Sequence, residues 1–364
     1  MNLIIGNDRS AILIATCAIA VLSAFLSYFL SFGSSRLAKK FGAMDAPSSE
    51  RKIHKHPIPL WGGLGIGLTI LFFGMVIIFI LPMADKNLSF NQLAGFFVGI
   101  LILLLGGLLD DRFPQKPWVQ ILFPISAALV VILSGTGIIQ VTNPAGHGGF
   151  SLVWWRGFGL SLPSDFITFA WLILATYSTK ILDGLDGLVT GLTVIGAGLV
   201  GALSLSATYF LPSVALFSGL TGGAFLGFLP HNINPAKQFL GESGATIAGF
   251  CLGVLAILSG AKIAIALAVL AIPIADVVLV VLGRIRRGVP WYRGDDSHLH
   301  FRLLKAGLPH RIVVLLLWCI SLFAGILALS LQTRGKIFLV VGLVILAAVT
   351  SYFAGIKSKT SIKP

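Results

Sequence analysis

Asp110 and Asp111 stand side by side in LGGLLDDRF, Asp183 and Asp186 three apart in STKILDGLDGLVTG, and Glu242 alone in FLGESGA. Asp295 and Asp296 complete the set, followed by His298, His300 and Arg302, with Arg293 just before. Only 13 of the 364 residues are acidic, so seven carboxylates at the ends of apolar runs need a reason. Adjacent acids at a helix C-terminus oppose the helix dipole and call for a compensating cation. Asp183 and Asp186, at i and i+3, share one helix face, and the glycines around them allow close backbone approach. Glu242 taken alone would as readily mark a loop entering a helix. Oxygen ligands without thiolate or multi-histidine spacing select a hard ion, Mg²⁺ or alternatively Mn²⁺. Such an ion commonly joins one or two carboxylates to substrate phosphates. Ringed by Lys, Arg and His, it suits phosphoryl transfer from a diphosphate. His298 and His300, two apart, fit an extended loop that presents both rings to an anion, with Arg302 beside them.

The elements that must position these groups are apolar. Hydrophobic residues make up 56% of the chain and charged residues 11%, with a mean hydropathy of +0.96. Soluble domains carry roughly twice that charged fraction. Runs of about 18 or more apolar residues recur, the length a helix needs to cross about 30 Å of hydrocarbon. The spans expected are 11–32, 61–83, 92–109, 118–139, 164–182, 188–209, 213–230, 244–260, 262–283, 312–331 and 336–355. The fold class is an all-α polytopic membrane protein of about 11 transmembrane helices. It is read as one unit over 1–364, with a motif-bearing core at 36–325 and an extra C-terminal helix. Short alternating strands are not apparent, which argues against a barrel.

Of the 26 basic residues, 20 fall in 33–60, 110–117, 180–187, 231–243, 284–311 and 356–364. The positive-inside rule makes that side cytoplasmic, with the N-terminus outside and the C-terminus inside. All seven carboxylates share this side, although the rule hardly constrains Asp and Glu. That segregation points to a site. The formal charge of +13 otherwise reflects topology and anionic lipid rather than nucleic acid, because the cations are spread over short loops. Asp276, deep in a span, reads as an ion-pair partner of Arg284. Trp154 and Trp155, in the Gly-rich outer segment 140–163, suit an interfacial belt. Cys17, Cys251 and Cys319 read as apolar fillers, and the tail GIKSKTSIKP as disordered.

Six segments in order resemble the polyprenyl-phosphate N-acetylhexosamine-1-phosphate transferase family: RKIHKHPIPLWGG, LGGLLDDRFPQKPWVQ, KILDGLDGL, GFLPHNINPAKQFLGESGA, PIADVVLVVLGRIRRG and DDSHLHFRLL. The resemblance implies an inner (plasma) membrane enzyme with its site on the cytoplasmic face. Such an enzyme moves a sugar 1-phosphate from a UDP-sugar to undecaprenyl or another polyprenyl phosphate, releasing UMP with Mg²⁺. PIPLWGG favours the N-acetylglucosamine branch over the muramoyl-pentapeptide branch. The resemblance assigns Asp110 and Asp111 to the lipid phosphate and metal, and Asp183 to the reaction centre. Asp110, Asp111, Asp183 and Glu242 form the implied metal set. Lys116 keeps the family's spacing, Asp186, Asn232 and Phe239 match nucleotide-side positions, and His298 and His300 match a diphosphate motif. Three departures stand out: Lys180 where Asn is usual, Glu242 where Asp ligates the ion, and Phe301 where a further His is usual. Lys180 is therefore read as a cation for a phosphate. Expected partners are the two substrates and the bilayer, with a homodimer left open. A cation-coupled transporter and an inactive lipid-binding relative are the rival readings.

Overall fold

A computed structural model describes residues 8–47, 56–80, 88–143, 148–157, 160–260, 263–289 and 297–360. The RKIHK stretch, Arg293, Asp295 and Asp296 lie outside the described residues. Every expected apolar run coincides with a helix. The order is α1 (Arg9–Phe41), α2 (Gly62–Ile80), α3 (Phe90–Arg112), α4 (Pro117–Gln120), α5 (Leu122–Leu133), α6 (Ser164–Leu182) and α7 (Leu188–Ser204). It continues through α8 (Pro212–Asn232), α9 (Gly241–Leu258), α10 (Ile263–Arg286), the short α11 (Leu299–Lys305), α12 (His310–Ser330) and α13 (Thr333–Thr360). Among the described residues, eight helices are long and apolar enough to cross a membrane, and shorter apolar helices cover 62–78, 117–133 and 188–204. The chain is an all-α polytopic membrane protein. Helices are the form in which such runs satisfy every backbone group without water.

Local chemistry sets the helix ends. Ser89 and Gln92 make a reciprocal capping box at the start of α3, which meets donors left orphaned in a first turn. Pro117 and Pro212 open α4 and α8 at positions where a missing N–H is harmless. The central element is α9, buried over 89% of its apolar window, whereas α13 is buried over only 17% and lies at the periphery. Phe250 of α9 stacks on Phe96 of α3 at 6.0 Å. A side chain at Gly107 would collide with the Ser243 backbone, so glycine lets the ends of α3 and α9 touch. The PIPLWGG stretch reaches the same junction. Trp61 takes a φ of +68°, uncommon outside glycine, with its indole N–H bonded to the Leu108 carbonyl at 3.2 Å. Gly62 and Gly63 then donate to the carbonyls of Phe239 and Leu240 at 3.1 and 2.9 Å.

On the far side, Thr16, Ala20, Ser23 and Ala24 of α1 lie in a groove opened by Gly219, Gly223 and Gly227 of α8, and Ser31 of the same helix lies against Gly65 of α2. Small residues at this spacing let membrane helices approach closely.

Three antiparallel ribbons were not expected. β1 (Met44–Asp45) pairs with β2 (Ile58–Pro59), β3 (Gln140–Thr142) with β4 (Gly149–Ser151), and β5 (Val153–Gly157) with β6 (Leu160–Pro163). The last two fold the 140–163 segment, read from sequence only as Gly- and Trp-rich, at the bundle end opposite Asp110 and Asp183. Trp154 there is 80% exposed. The tail also differs: α13 continues to Thr360, so helix replaces the expected disorder over much of it.

Candidate active site

Helix ends deliver the carboxylates to one place. Asp110 and Asp111 sit in the last turn of α3, Asp183 caps the C-terminus of α6, Asp186 lies in the turn before α7, and Glu242 is in the first turn of α9. All five line a single cavity of about 760 Å³, together with Lys180, Asn232 and Phe239.

Each acid is held differently. Asp110 accepts from the Gln115 amide at 2.7 Å, and the Gln120 side-chain amide straddles both its oxygens at 3.0 and 3.1 Å. Asp111 Oδ1 accepts from the Glu242 backbone N–H at 2.8 Å, while its Oδ2 is buried without a protein partner. Gly241, at φ +74°, makes that possible, since a Cβ there would lie 2.5 Å from Asp111 Oδ2. Burial, then the charges of Asp186 and Glu242, push the Asp183 carboxyl up to about 8. Asp186 Oδ2 accepts from Asn234 Nδ2 at 2.9 Å and from the Ala236 N–H at 3.1 Å. Glu242 Oε1 pairs with Lys180 Nζ at 2.6 Å, and Lys180 also donates to Gln120 Oε1 at 3.0 Å.

Asn232 is only 3% exposed and works as a knot. Its Oδ1 accepts from Gly187 N–H at 3.1 Å and Thr190 Oγ1 at 2.7 Å, and its Nδ2 donates to the Gln238 carbonyl at 3.2 Å. The Asp186 turn and the loop carrying Phe239 are thereby tied together.

The histidine segment is arranged otherwise than the sequence suggested. Instead of an extended loop it forms α11, with His298 at its N-cap. Asp276 captures that end: its Oδ2 meets His298 Nδ1 at 2.9 Å and its Oδ1 accepts from Leu299 N–H at 2.8 Å. A buried carboxylate is satisfied by exposed helix-end donors as well as by a cation. His298 and His300 are 6% and 1% exposed, and neither lines the large cavity. Burial lowers the His300 imidazole to about 4, and neither of its ring nitrogens has a protein partner. A pocket of about 10 Å³ beside His300 and Asp276 has room for one water. Arg302 donates to the Ser351 carbonyl of α13 at 3.0 Å. Lys116 is exposed at the start of α4, away from the cavity wall.

Among the wall residues not singled out from sequence as site members are Asp45, His56, Phe301 and His310. His310 Nε2 lies 3.3 Å from the Asp186 carbonyl, and Arg311 forks onto the Asn234 carbonyl at 3.1 and 2.8 Å. A polar pair opening a span directly after Pro309 was the signal available for them.

The donor set suits a hard cation that shares its shell with a ligand. Asp111 Oδ2 is an orphaned buried acceptor facing the other acids. Among the described residues, no group of three or more His, Cys, Asp or Glu side chains is arranged to hold a metal ion. Mg²⁺ is commonly bound through only one or two carboxylates, with substrate phosphates and waters completing the octahedron.

Comparison with known proteins gives consistent matches. The family model for glycosyl transferase family 4 matches residues 93–260, a range that includes all five carboxylates. A probable undecaprenyl-phosphate N-acetylglucosaminyl 1-phosphate transferase of Bacillus subtilis is 31% identical over 304 residues, covering 82% of this chain and 80% of that protein. A decaprenyl-phosphate N-acetylglucosaminephosphotransferase of Mycobacterium tuberculosis is 29% identical over 337 residues, 85% of this chain and 80% of the other. The undecaprenyl-phosphate alpha-N-acetylglucosaminyl 1-phosphate transferase of Escherichia coli is 28% identical over 325 residues, with 84% and 79% covered.

Proposed function

This chain belongs to glycosyl transferase family 4, and we propose that it transfers N-acetylglucosamine 1-phosphate from its UDP-sugar to a polyprenyl phosphate, releasing UMP. The observation that carries this reading is the convergence of Asp110, Asp111, Asp183, Asp186 and Glu242 on one cavity at the ends of apolar helices. A nucleotide and a lipid head can meet there. The named relatives act on N-acetylglucosamine donors, which favours that branch over the muramoyl-pentapeptide one.

Asp186, oriented by Asn234 and Ala236, faces the uracil edge, and Phe239 offers a ring for stacking. The polyprenyl phosphate is already anionic near neutral pH, so its oxygen attacks the sugar-bearing phosphorus without a strong base. Asp110, held by Gln120, orients that phosphate and takes any residual proton. Asp183 stands at the reaction centre. The unpartnered Asp111 Oδ2, with one neighbouring acid, would hold Mg²⁺ together with the diphosphate. When bound, that ion supplies charge stabilisation for the phosphates and the departing UMP.

The eleven apolar helices cross the bilayer in this reading, the shorter three included. The Lys and Arg bias supports a cytoplasmic face of the plasma membrane for the cavity in this reading. The test is UMP release by the purified protein with polyprenyl phosphate and a panel of UDP-sugars. Turnover is expected with UDP-N-acetylglucosamine; no acceptor-dependent UMP from any sugar in the panel refutes the reading.

A further inference from the structure

Lys180 and Glu242 are the cavity's one ion pair among the described residues, and each is less than a fifth exposed. The pair sits at the end of a chain of contacts. Gln120 turns its carbonyl oxygen to Lys180 at 3.0 Å and its amide to both oxygens of Asp110. The ammonium is therefore gripped from two sides and fixed at the cavity wall. A dication ligated by Glu242 would have to sit against this ammonium, and like charges in a partly desolvated site repel strongly. Asp111 Oδ2, by contrast, has no cation or donor on it.

From this geometry we infer that Glu242 is the counterion that positions Lys180, not a ligand of the divalent ion, and that Lys180 is a fixed cation for the donor's diphosphate. The inference rests on the transferase reading above. Lysine serves phosphate as a compact point charge, and holding it in place removes the rotamer freedom that would otherwise weaken the contact. Two positive charges then share the diphosphate: one brought by the ion on the Asp111 side, the other built into the chain.

The test pairs a binding readout with turnover. Mn²⁺ affinity is measured by electron paramagnetic resonance of the free ion, with Mn²⁺ alone. The kcat/KM for UDP-N-acetylglucosamine is measured on wild type, K180R and the neutral pair K180M/E242Q. The neutral pair is expected to bind Mn²⁺ within about threefold of wild type and to lose at least tenfold in kcat/KM. K180R, which keeps the charge, is expected to recover most of that loss. A tenfold or greater drop in Mn²⁺ affinity for the neutral pair makes Glu242 a ligand and overturns the inference. Retained kcat/KM in the neutral pair, or a K180R enzyme as impaired as that pair, overturns it as well. If the Met/Gln pair does not fold, judged by thermal midpoint and elution, K180Q/E242Q carries the same comparison. Failure of the transferase reading would appear separately, as wild-type protein that binds Mn²⁺ but releases no UMP.

Discussion

Replacing Asn232 with alanine probes the knot that ties two walls of the cavity. The substitution removes three hydrogen bonds at a position 3% exposed. The Thr190 hydroxyl can rotate to another acceptor, but the Gly187 N–H and the Gln238 carbonyl are left without their partner. An orphaned buried group costs roughly 1–3 kcal/mol, so the two together cost about 2–6 kcal/mol. At roughly 2.1 cal/mol/K per residue, a chain of 364 residues shifts by about 1.3 °C per kcal/mol, so the thermal midpoint in detergent should fall by at least about 3 °C. Asn232→Asp is the informative control. Its carboxylate still accepts from Gly187 and Thr190, but an acceptor oxygen replaces the donor that faced the Gln238 carbonyl, so its midpoint should also fall below that of wild type. The KM for the UDP-sugar should rise in both variants, because Asp186 and Phe239 are the groups the knot aligns. An N232A protein that melts like wild type refutes the reasoning.

Other outcomes follow from the same contacts. With EDTA present, the contribution of Asp183 to stability should be full below about pH 4 and lost as pH rises through about 8. Its folded carboxyl lies near 8, above the ordinary 3.8, so the protonated form is the one the fold favours. Thermal midpoints against pH should show this decline, and D183N should flatten that part of the profile. Gln120→Ala frees both oxygens of Asp110 from a charge-assisted bond worth about 1.5–3 kcal/mol; kcat should drop roughly tenfold or more and the midpoint should fall by about 2–4 °C. Asp276→Ala leaves His298 and the Leu299 N–H unpaired in the interior, and should destabilise by about 3–5 kcal/mol, read by thermal melting.

The spans were legible because hydrocarbon demands long apolar runs, and α6 ends where its apolar pattern ends, at the residue before Asp183. The acids were legible because they are scarce and because their side of the membrane is not explained by the topology rule. What could not be read was contact between distant segments. Lys180 and Glu242 both stood out as unusual residues, yet that they meet each other depends on α6 packing against α9. The histidine spacing suggested a loop facing an anion, whereas Asp276 of α10 draws the segment inward and starts a helix there. The hairpins of 140–163 were hidden because glycine-rich, tryptophan-rich sequence signals loop as readily as strand.

The seam between α1 and α8 has a bearing on biogenesis. Gln238 Nε2 donates to Ser34 Oγ at 2.9 Å, and His231 Nε2 lies 3.1 Å from the Tyr28 carbonyl, so α1 braces the segment next to Asn232. Gln238 Nε2 also donates to the Leu60 carbonyl at 3.2 Å, and contacts between such remote stretches form late. While α1 enters the bilayer, its face carrying Thr16, Ala20, Ser23 and Ala24 has no glycine groove to occupy until α8 has been synthesised. The wall next to Asn232 therefore cannot be finished one helix at a time, and a chain deprived of α1 would lose this support without losing a single cavity carboxylate.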